Sequence, residues 1–166
     1  GPHDITVTST ITSDTILAIQ TALKNNSNAK VNLDLSRTTG LISIGNYAFY
    51  YCNSLEGVVL PNSVTSIDEG VFYECSNLES VTIPDSVTSI GYKAFAYCSG
   101  FTGDLIIPDS VETIGSYAFY ECRGFTGNLV IGNSVTSIGE HTFYVCRFTG
   151  NLVIGNSVTS IGDKAF

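Results

Sequence analysis

The sequence predicts a repeat solenoid of mixed α/β class: a helical N-terminal cap followed by stacked coils that share one parallel β-sheet. Three observations predict it. From Leu41 onward the chain repeats itself every 23 or 24 residues. Each unit carries a pair of apolar residues in period-two spacing, the mark of a short strand. No unit holds enough large apolar side chains to enclose a core alone, so neighbouring units must cover one another. Composition agrees. The 166 residues make one ordinary domain or a short array, and 43% apolar content with nine Tyr and nine Phe is ample for a core. Only 13% of residues are charged, and the net charge is −8. That balance excludes a basic phosphate-binding surface, so nucleic acid is not an expected partner. The longest apolar run is far short of the roughly 18 residues a bilayer span needs, so no membrane insertion is expected of this segment.

The elements follow in chain order. Gly1-Pro2-His3 reads as a cleavage scar and not as a signal peptide. Residues 4–40 lack the repeat and form the N-terminal cap. Thr12, Ser13 or Asp14 starts a helix over about 14–25, with Ile16, Ile19 and Leu23 on one face. Asn25 to Asn28 is its exit, and Val31 to Leu35 alternates as a strand, a degenerate first rung. A helix there would close the open edge of the first coil. Five units follow at 41–63, 64–86, 87–110, 111–134 and 135–157, with a truncated sixth at 158–166. The second reads VTSIDEGVFYECSNLESVTIPDS, the third VTSIGYKAFAYCSGFTGDLIIPDS, the fourth VETIGSYAFYECRGFTGNLVIGNS. The chain stops inside a unit, with Val158, Ile161 and Phe166 left over the last core. The expectation is a longer array, with self-association through that uncapped edge as the alternative.

Each column of the repeat has a physical reading. Gly follows the first Ile at positions 45, 91, 115, 139 and 162, with Asp68 in the remaining unit; both residues tolerate a tight or left-handed turn. A small residue and Phe come next, giving Phe49, Phe72, Phe95, Phe119 and Phe143 as a core ladder. Three residues on sits Cys: Cys52, Cys75, Cys98, Cys122 and Cys146. The strand pairs are Val58/Leu60, Val81/Ile83, Leu105/Ile107, Leu129/Ile131 and Leu152/Ile154. Pro or Gly, then Asn or Asp and Ser, ends each strand in a turn.

The string L-x-x-V-x-I-P-x-S-V-T-S-I-G-x-x-A-F-x-x-C, matched almost letter for letter over 64–98, closely resembles the BspA-like branch of the leucine-rich repeats. The resemblance spans everything from Leu41 onward. It implies a right-handed leucine-rich-repeat superhelix with one parallel sheet on the concave side and irregular or short extended segments on the convex side. It also implies an extracellular or cell-surface setting on bacteria or parasitic protists, and adhesion to host or microbial surface proteins. Gly132 and Gly155 stand where the pattern has Pro, and an F-T-G insertion lengthens the approach to the strand in the last three full units.

Candidate chemistry is sparse. The cysteines are spaced too widely for zinc pairs, and five is an odd number for a disulfide framework, so they are expected to be a ladder of buried thiols. His141 falls in a column with Tyr47, Gly70, Lys93, Tyr117 and Lys164, whose variety predicts exposure. No nucleophile–base set can be assembled from it, so no catalytic residue, cofactor or enzymatic activity is expected. Glu56 and Glu79 share a column, as do Asp85 and Asp109; the aspartates are expected to cap turns rather than bind a metal. Two columns are candidates for recognition. Val59, Thr82, Ile106, Val130 and Val153 lie between the paired core residues of each strand and must point outward. Tyr50, Tyr73, Tyr120 and Tyr144 form a tyrosine column beside Tyr51 and Tyr97, and tyrosine is a favoured contact residue. The resulting expectation is a non-catalytic protein-interaction or adhesion module binding through the concave face. The alternatives are an architectural spacer displaying another domain, and a carbohydrate-binding surface built on the tyrosines.

Overall fold

The computed structural model describes residues 2–166 as a parallel β-solenoid. The N-terminal part contributes β1 (His3–Thr6), α1 (Ser13–Asn25) and β2 (Val31–Asp34). Each of the five full repeats contributes one two-residue strand and one longer strand, and the partial sixth contributes a two-residue strand alone. The short ones are β3 (Ser43–Ile44), β5 (Ser66–Ile67), β7 (Ser89–Ile90), β9 (Thr113–Ile114), β11 (Ser137–Ile138) and β13 (Ser160–Ile161). The longer ones are β4 (Leu55–Val59), β6 (Ser80–Thr82), β8 (Leu105–Ile107), β10 (Leu129–Ile131) and β12 (Leu152–Ile154). Equivalent residues lie directly over one another: Leu129 pairs with Leu105 on one side and Leu152 on the other, and Ser89 with Ser66 and Thr113.

The short strands form one unbroken six-stranded sheet, β13-β11-β9-β7-β5-β3. The long strands do not. They divide into β1-β2-β4-β6 and β12-β10-β8, so the single column expected from the repeat is interrupted once. His3, set aside in the sequence as part of a scar, is the first residue of β1, and its N–H donates to Lys30 O at 2.6 Å.

Between the two columns each coil crosses as a string of overlapping β-turns. In the first repeat the N–H groups of Ala48, Tyr50 and Cys52 donate to Gly45 O, Tyr47 O and Phe49 O of their own coil. The alternate N–H groups of Tyr47, Phe49 and Tyr51 donate to Glu69 O, Val71 O and Tyr73 O of the next coil, each at 2.8 Å. This string satisfies the backbone that a sheet would otherwise pair. It requires left-handed backbone twice per coil: ten non-glycine residues, including Tyr47, Tyr51, Lys93, Tyr97, His141 and Val145, have φ between 48° and 64°. Each costs on the order of 1 kcal/mol, offset by the inter-coil bonds that most of them donate.

The core runs the length of the coil. Phe49, Phe72, Phe95, Phe119 and Phe143 are buried and stack in sequence at centroid distances of 5.6, 5.3, 5.0 and 5.6 Å. Phe101, Phe125 and Phe148 form a second stack at 4.8 and 5.1 Å. The glycines after Ile serve this stacking differently from the turn role expected of them. None of Gly45, Gly91, Gly115, Gly139 and Gly162 has positive φ. What four of them provide is clearance: a Cβ at Gly91, Gly115, Gly139 or Gly162 would lie 2.6–2.7 Å from backbone of the preceding coil, whereas one at Gly45, on the first repeat coil, would meet nothing.

Helix α1 closes the first coil. Thr12 is its N-cap and forms a reciprocal capping box with Thr15. Ile16 and Leu23 are buried against the core, and Ile19 packs beside them. Gln20 Nε2 donates to Tyr47 O at 2.9 Å and Ala48 O at 2.8 Å, the second replacing the N–H that a preceding coil's Phe would supply. Ser54 Oγ donates to Leu23 O at 3.0 Å, and Lys24 Nζ lies 3.3 Å above the Tyr50 ring. Gln20→Ala should therefore lower the unfolding free energy by about 1–2 kcal/mol, read as a reduced urea midpoint with an unchanged m-value.

Candidate functional site

The thiol ladder bears most directly on chemistry. Cys52, Cys75, Cys98 and Cys122 are buried and Cys146 is partly covered; all five are free. Four donate to the carbonyl of the preceding coil's Phe: Cys75 Sγ to Phe49 O at 3.0 Å, Cys98 to Phe72 O at 3.0 Å, Cys122 to Phe95 O and Cys146 to Phe119 O at 3.1 Å. The thiols thus stitch coils together as well as filling space, a role the spacing alone did not reveal. Burial holds the Cys52 thiol up from 9.0 to about 11 and pushes Cys75, Cys98 and Cys122 up as well. A thiolate is the reactive form, so these groups are inert in the folded chain. A raised native pKa means the unfolded chain loses its protons first. Stability from these groups is complete below about pH 9 and falls as pH climbs toward 11. Urea midpoints measured between pH 8 and 11 should be level at first and then decline.

Asp104 and Asp109 act as inter-coil caps. Asp104 Oδ1 accepts from Asn128 N at 2.6 Å, and Asn128 Oδ1 accepts from Asn151 N at 2.8 Å. Asp109 Oδ1 accepts from Asn133 N at 2.6 Å, and Asn133 Oδ1 from Asn156 N at 3.3 Å. The backbone bonds hold the Asp104 carboxyl below its ordinary value. Glu56 pairs with Lys30. Among the described residues no group of three or more His, Cys, Asp or Glu could hold a metal ion.

His141 is less exposed than its variable column predicts. Its ring stacks on Tyr117 at 4.8 Å and meets Tyr144 edge-on at 5.1 Å, with Nδ1 3.1 Å from Glu140 Oε1. That column varies because its shared demand is left-handed backbone, met also by Tyr47, Gly70, Lys93, Tyr117 and Lys164.

The tyrosines form one ladder. Tyr50 meets Tyr51 at 5.7 Å, Tyr51 meets Tyr73 at 5.9 Å, Tyr73 meets Tyr97 at 5.6 Å and Tyr97 meets Tyr120 at 5.3 Å, all edge-to-face. Tyr120 stacks on Tyr144 at 5.8 Å. Tyr97 of the adjacent column bridges the one missing rung, at Ala96, and Tyr51 of the same column links Tyr50 to Tyr73. Glu74 and Glu121 alternate with them, and Arg123 pairs with Glu121 at 2.7 Å. Burial, reinforced by Glu74, pushes the Tyr73 hydroxyl up to about 12. Because these rings mostly meet edge to face, much of their flat surface faces other rings.

The outward strand column is more open. Val59, Ile106 and Val153 are 45%, 61% and 49% exposed, Thr82 is exposed and Val130 half-buried. Val58, Leu60, Leu105, Ile107, Leu129 and Ile131 beside them are buried. The five outward residues lie on strands of the two long-strand sheets and present a mainly β-branched face edged by carboxylates.

Comparison with known proteins fits this geometry. A BspA-type leucine-rich repeat region matches residues 42–166 in six copies. A crystal structure of a leucine-rich repeat protein from T. pallidum superposes with a TM-score of 0.69 at 28% identity, covering 80% of this chain and 59% of that one. One from Bacteroides ovatus gives 0.59 at 25% identity, covering 80% and 39%. A leucine-rich repeat protein from Eubacterium ventriosum, at 19% identity and TM-score 0.52, shares the fold over 98% of this chain, including the region of the helical cap. The chain thus spans about 40–60% of the length of these solved structures. No match was found among curated proteins.

Proposed function

This chain belongs to the BspA-type leucine-rich repeat family, and from that premise we propose that it is a recognition module of an extracellular or cell-surface protein, adhering to a host or microbial surface protein through its outward strand column. Members of this family are generally interaction or surface modules, and the fold is generally non-catalytic. The observation that carries the reading is the outward row Val59, Thr82, Ile106, Val130 and Val153, exposed except for the half-buried Val130. Parallel sheets are usually covered on both faces, and an uncovered apolar row is the kind of surface a partner buries. The net charge of −8 favours neutral or basic partners and disfavours acidic ones.

Beads coated with the chain should adhere to immobilised surface proteins of host or neighbouring microbes. The Val130→Lys, Val153→Lys double variant should lose at least 90% of that adhesion with an unchanged urea midpoint. Undiminished adhesion would remove the strand face from the mechanism. A chain that adheres to nothing and is needed only to hold a flanking domain at a distance would be a spacer. Binding to arrayed glycans that disappears on Tyr120→Ala and Tyr144→Ala would transfer recognition to the tyrosine ladder.

A further inference from the structure

The long-strand column parts between β6 and β8: β6 pairs only with β4, and β8 only with β10. The approach to the strand changes there, from Asn77-Leu78-Glu79-Ser80 before Val81 to Phe101-Thr102-Gly103-Asp104 before Leu105. From Cys75 to Val81 the chain takes six steps, and from Cys98 to Leu105 it takes seven. The extra length turns outward at Gly103 (φ 70°), whose carbonyl accepts from Gly127 N of the next coil at 2.8 Å. The coil before it has no such residue to pair. Thr102 N still donates to Glu79 O at 3.3 Å, and beyond that bond the two strands are not paired.

Three features meet in the opening. Two strand edges face each other, and an unpaired edge is a template for another strand. Leu105 N donates to Asn128 O of the next coil at 2.9 Å, so the peptide group of Ile106, next along the strand, faces the opening. Val81 is half-exposed where its column mates Val58, Leu105 and Leu129 are buried. The cleft measures about 390 Å³, and Val81, Phe101 and Ile106 line it together with Glu79, Asp85 and Asp104, with no Lys, Arg or His among its lining residues.

We propose that this opening receives an extended segment of a partner protein with lysine or arginine at alternate positions. The segment runs parallel to β6 and β8 and hydrogen-bonds through its backbone to their free edges. Its basic side chains meet the three carboxylates, and an apolar one covers Val81. Backbone pairing supplies affinity and the alternating pockets supply specificity. The site deepens the recognition function above and rests on it, but occupies residues that the adhesion test leaves intact.

The probe is Val-Lys-Val-Arg-Val-amide carrying fluorescein on its N-terminal amine, followed by polarisation. Saturable binding is expected, at least tenfold tighter than that of Val-Glu-Val-Glu-Val-amide labelled in the same way. Glu79→Lys with Asp85→Lys should weaken it at least tenfold. So should Ile106→Pro, which deletes a donor facing the opening and spares the Leu105 bond. A urea midpoint for each variant excludes misfolding. Absence of binding overturns the proposal. So does equal binding of the peptide with its central Val replaced by Pro, because attraction of charge alone would then account for it. Val130→Lys with Val153→Lys should leave peptide affinity unchanged. Adhesion lost in that variant while the wild-type chain ignores the peptide would sink this site alone. Peptide binding with adhesion untouched would sink the broader reading alone.

Discussion

Phe95→Ala is expected to destabilise the chain by about 3–5 kcal/mol. Phe95 is fully buried, stacked 5.3 Å from Phe72 and 5.0 Å from Phe119, with Phe101 tilted against it at 5.9 Å. Removing its ring leaves a void bounded by two rings that cannot approach each other while the coil spacing is fixed by backbone bonds on either side. Phe166, about half-exposed on the last coil and stacked only on Phe143, should cost about 1 kcal/mol by the same change. The comparison uses the near-linear coupling of a solenoid, in which a unit answers to its two neighbours. Equilibrium unfolding in urea decides it: equal losses at the two positions would show that the stack is not what these rings stabilise.

Gly124→Ala is the second large effect, expected near 3 kcal/mol. A Cβ there would lie 2.0 Å from Phe101 O and 2.5 Å from Ser99 O, both backbone atoms that a rotamer change cannot move. The coils would have to separate, straining the Phe101–Phe125 stack at 4.8 Å. Gly45→Ala is the matched control, with open space around it, and should be neutral within about 0.5 kcal/mol. Thermal denaturation of the two variants side by side separates clearance between coils from any general cost of losing glycine.

Much of this architecture was legible from register. Five near-identical units place each Phe and Cys over its counterpart, and the structure stacks them so. The helix was legible through Ile16, Ile19 and Leu23, and its capping role through the missing coil beneath Leu41. Other features were hidden for physical reasons. β1 lies outside the repeat, and a four-residue strand carries too little pattern to stand out. The glycine column reads as turn chemistry because sequence cannot distinguish freedom in φ from room for a neighbour's backbone; the positive φ of non-glycine residues falls instead on Tyr, Lys, Glu, His and Val. The variety of its column predicts a surface position for His141, yet what that column shares is a backbone conformation. The outward row Val59 to Val153 followed from strand alternation. The break between β6 and β8 did not, because a changed approach to one strand looks like tolerated drift until its coil fails to pair.

The turn string has a consequence for the whole particle. In every coil the alternate amides at the Tyr47, Phe49 and Tyr51 positions point toward the C-terminal end, and the carbonyls that receive them point back. Their dipoles add along the axis in one sense, opposite to the sense in an α-helix, where N–H groups point toward the N-terminus. The first coil is therefore an electronegative pole on that flank, and it is met there by the amide of Gln20 and the ammonium of Lys24. The last coil is the electropositive pole. A group that docks on that pole meets N–H donors first.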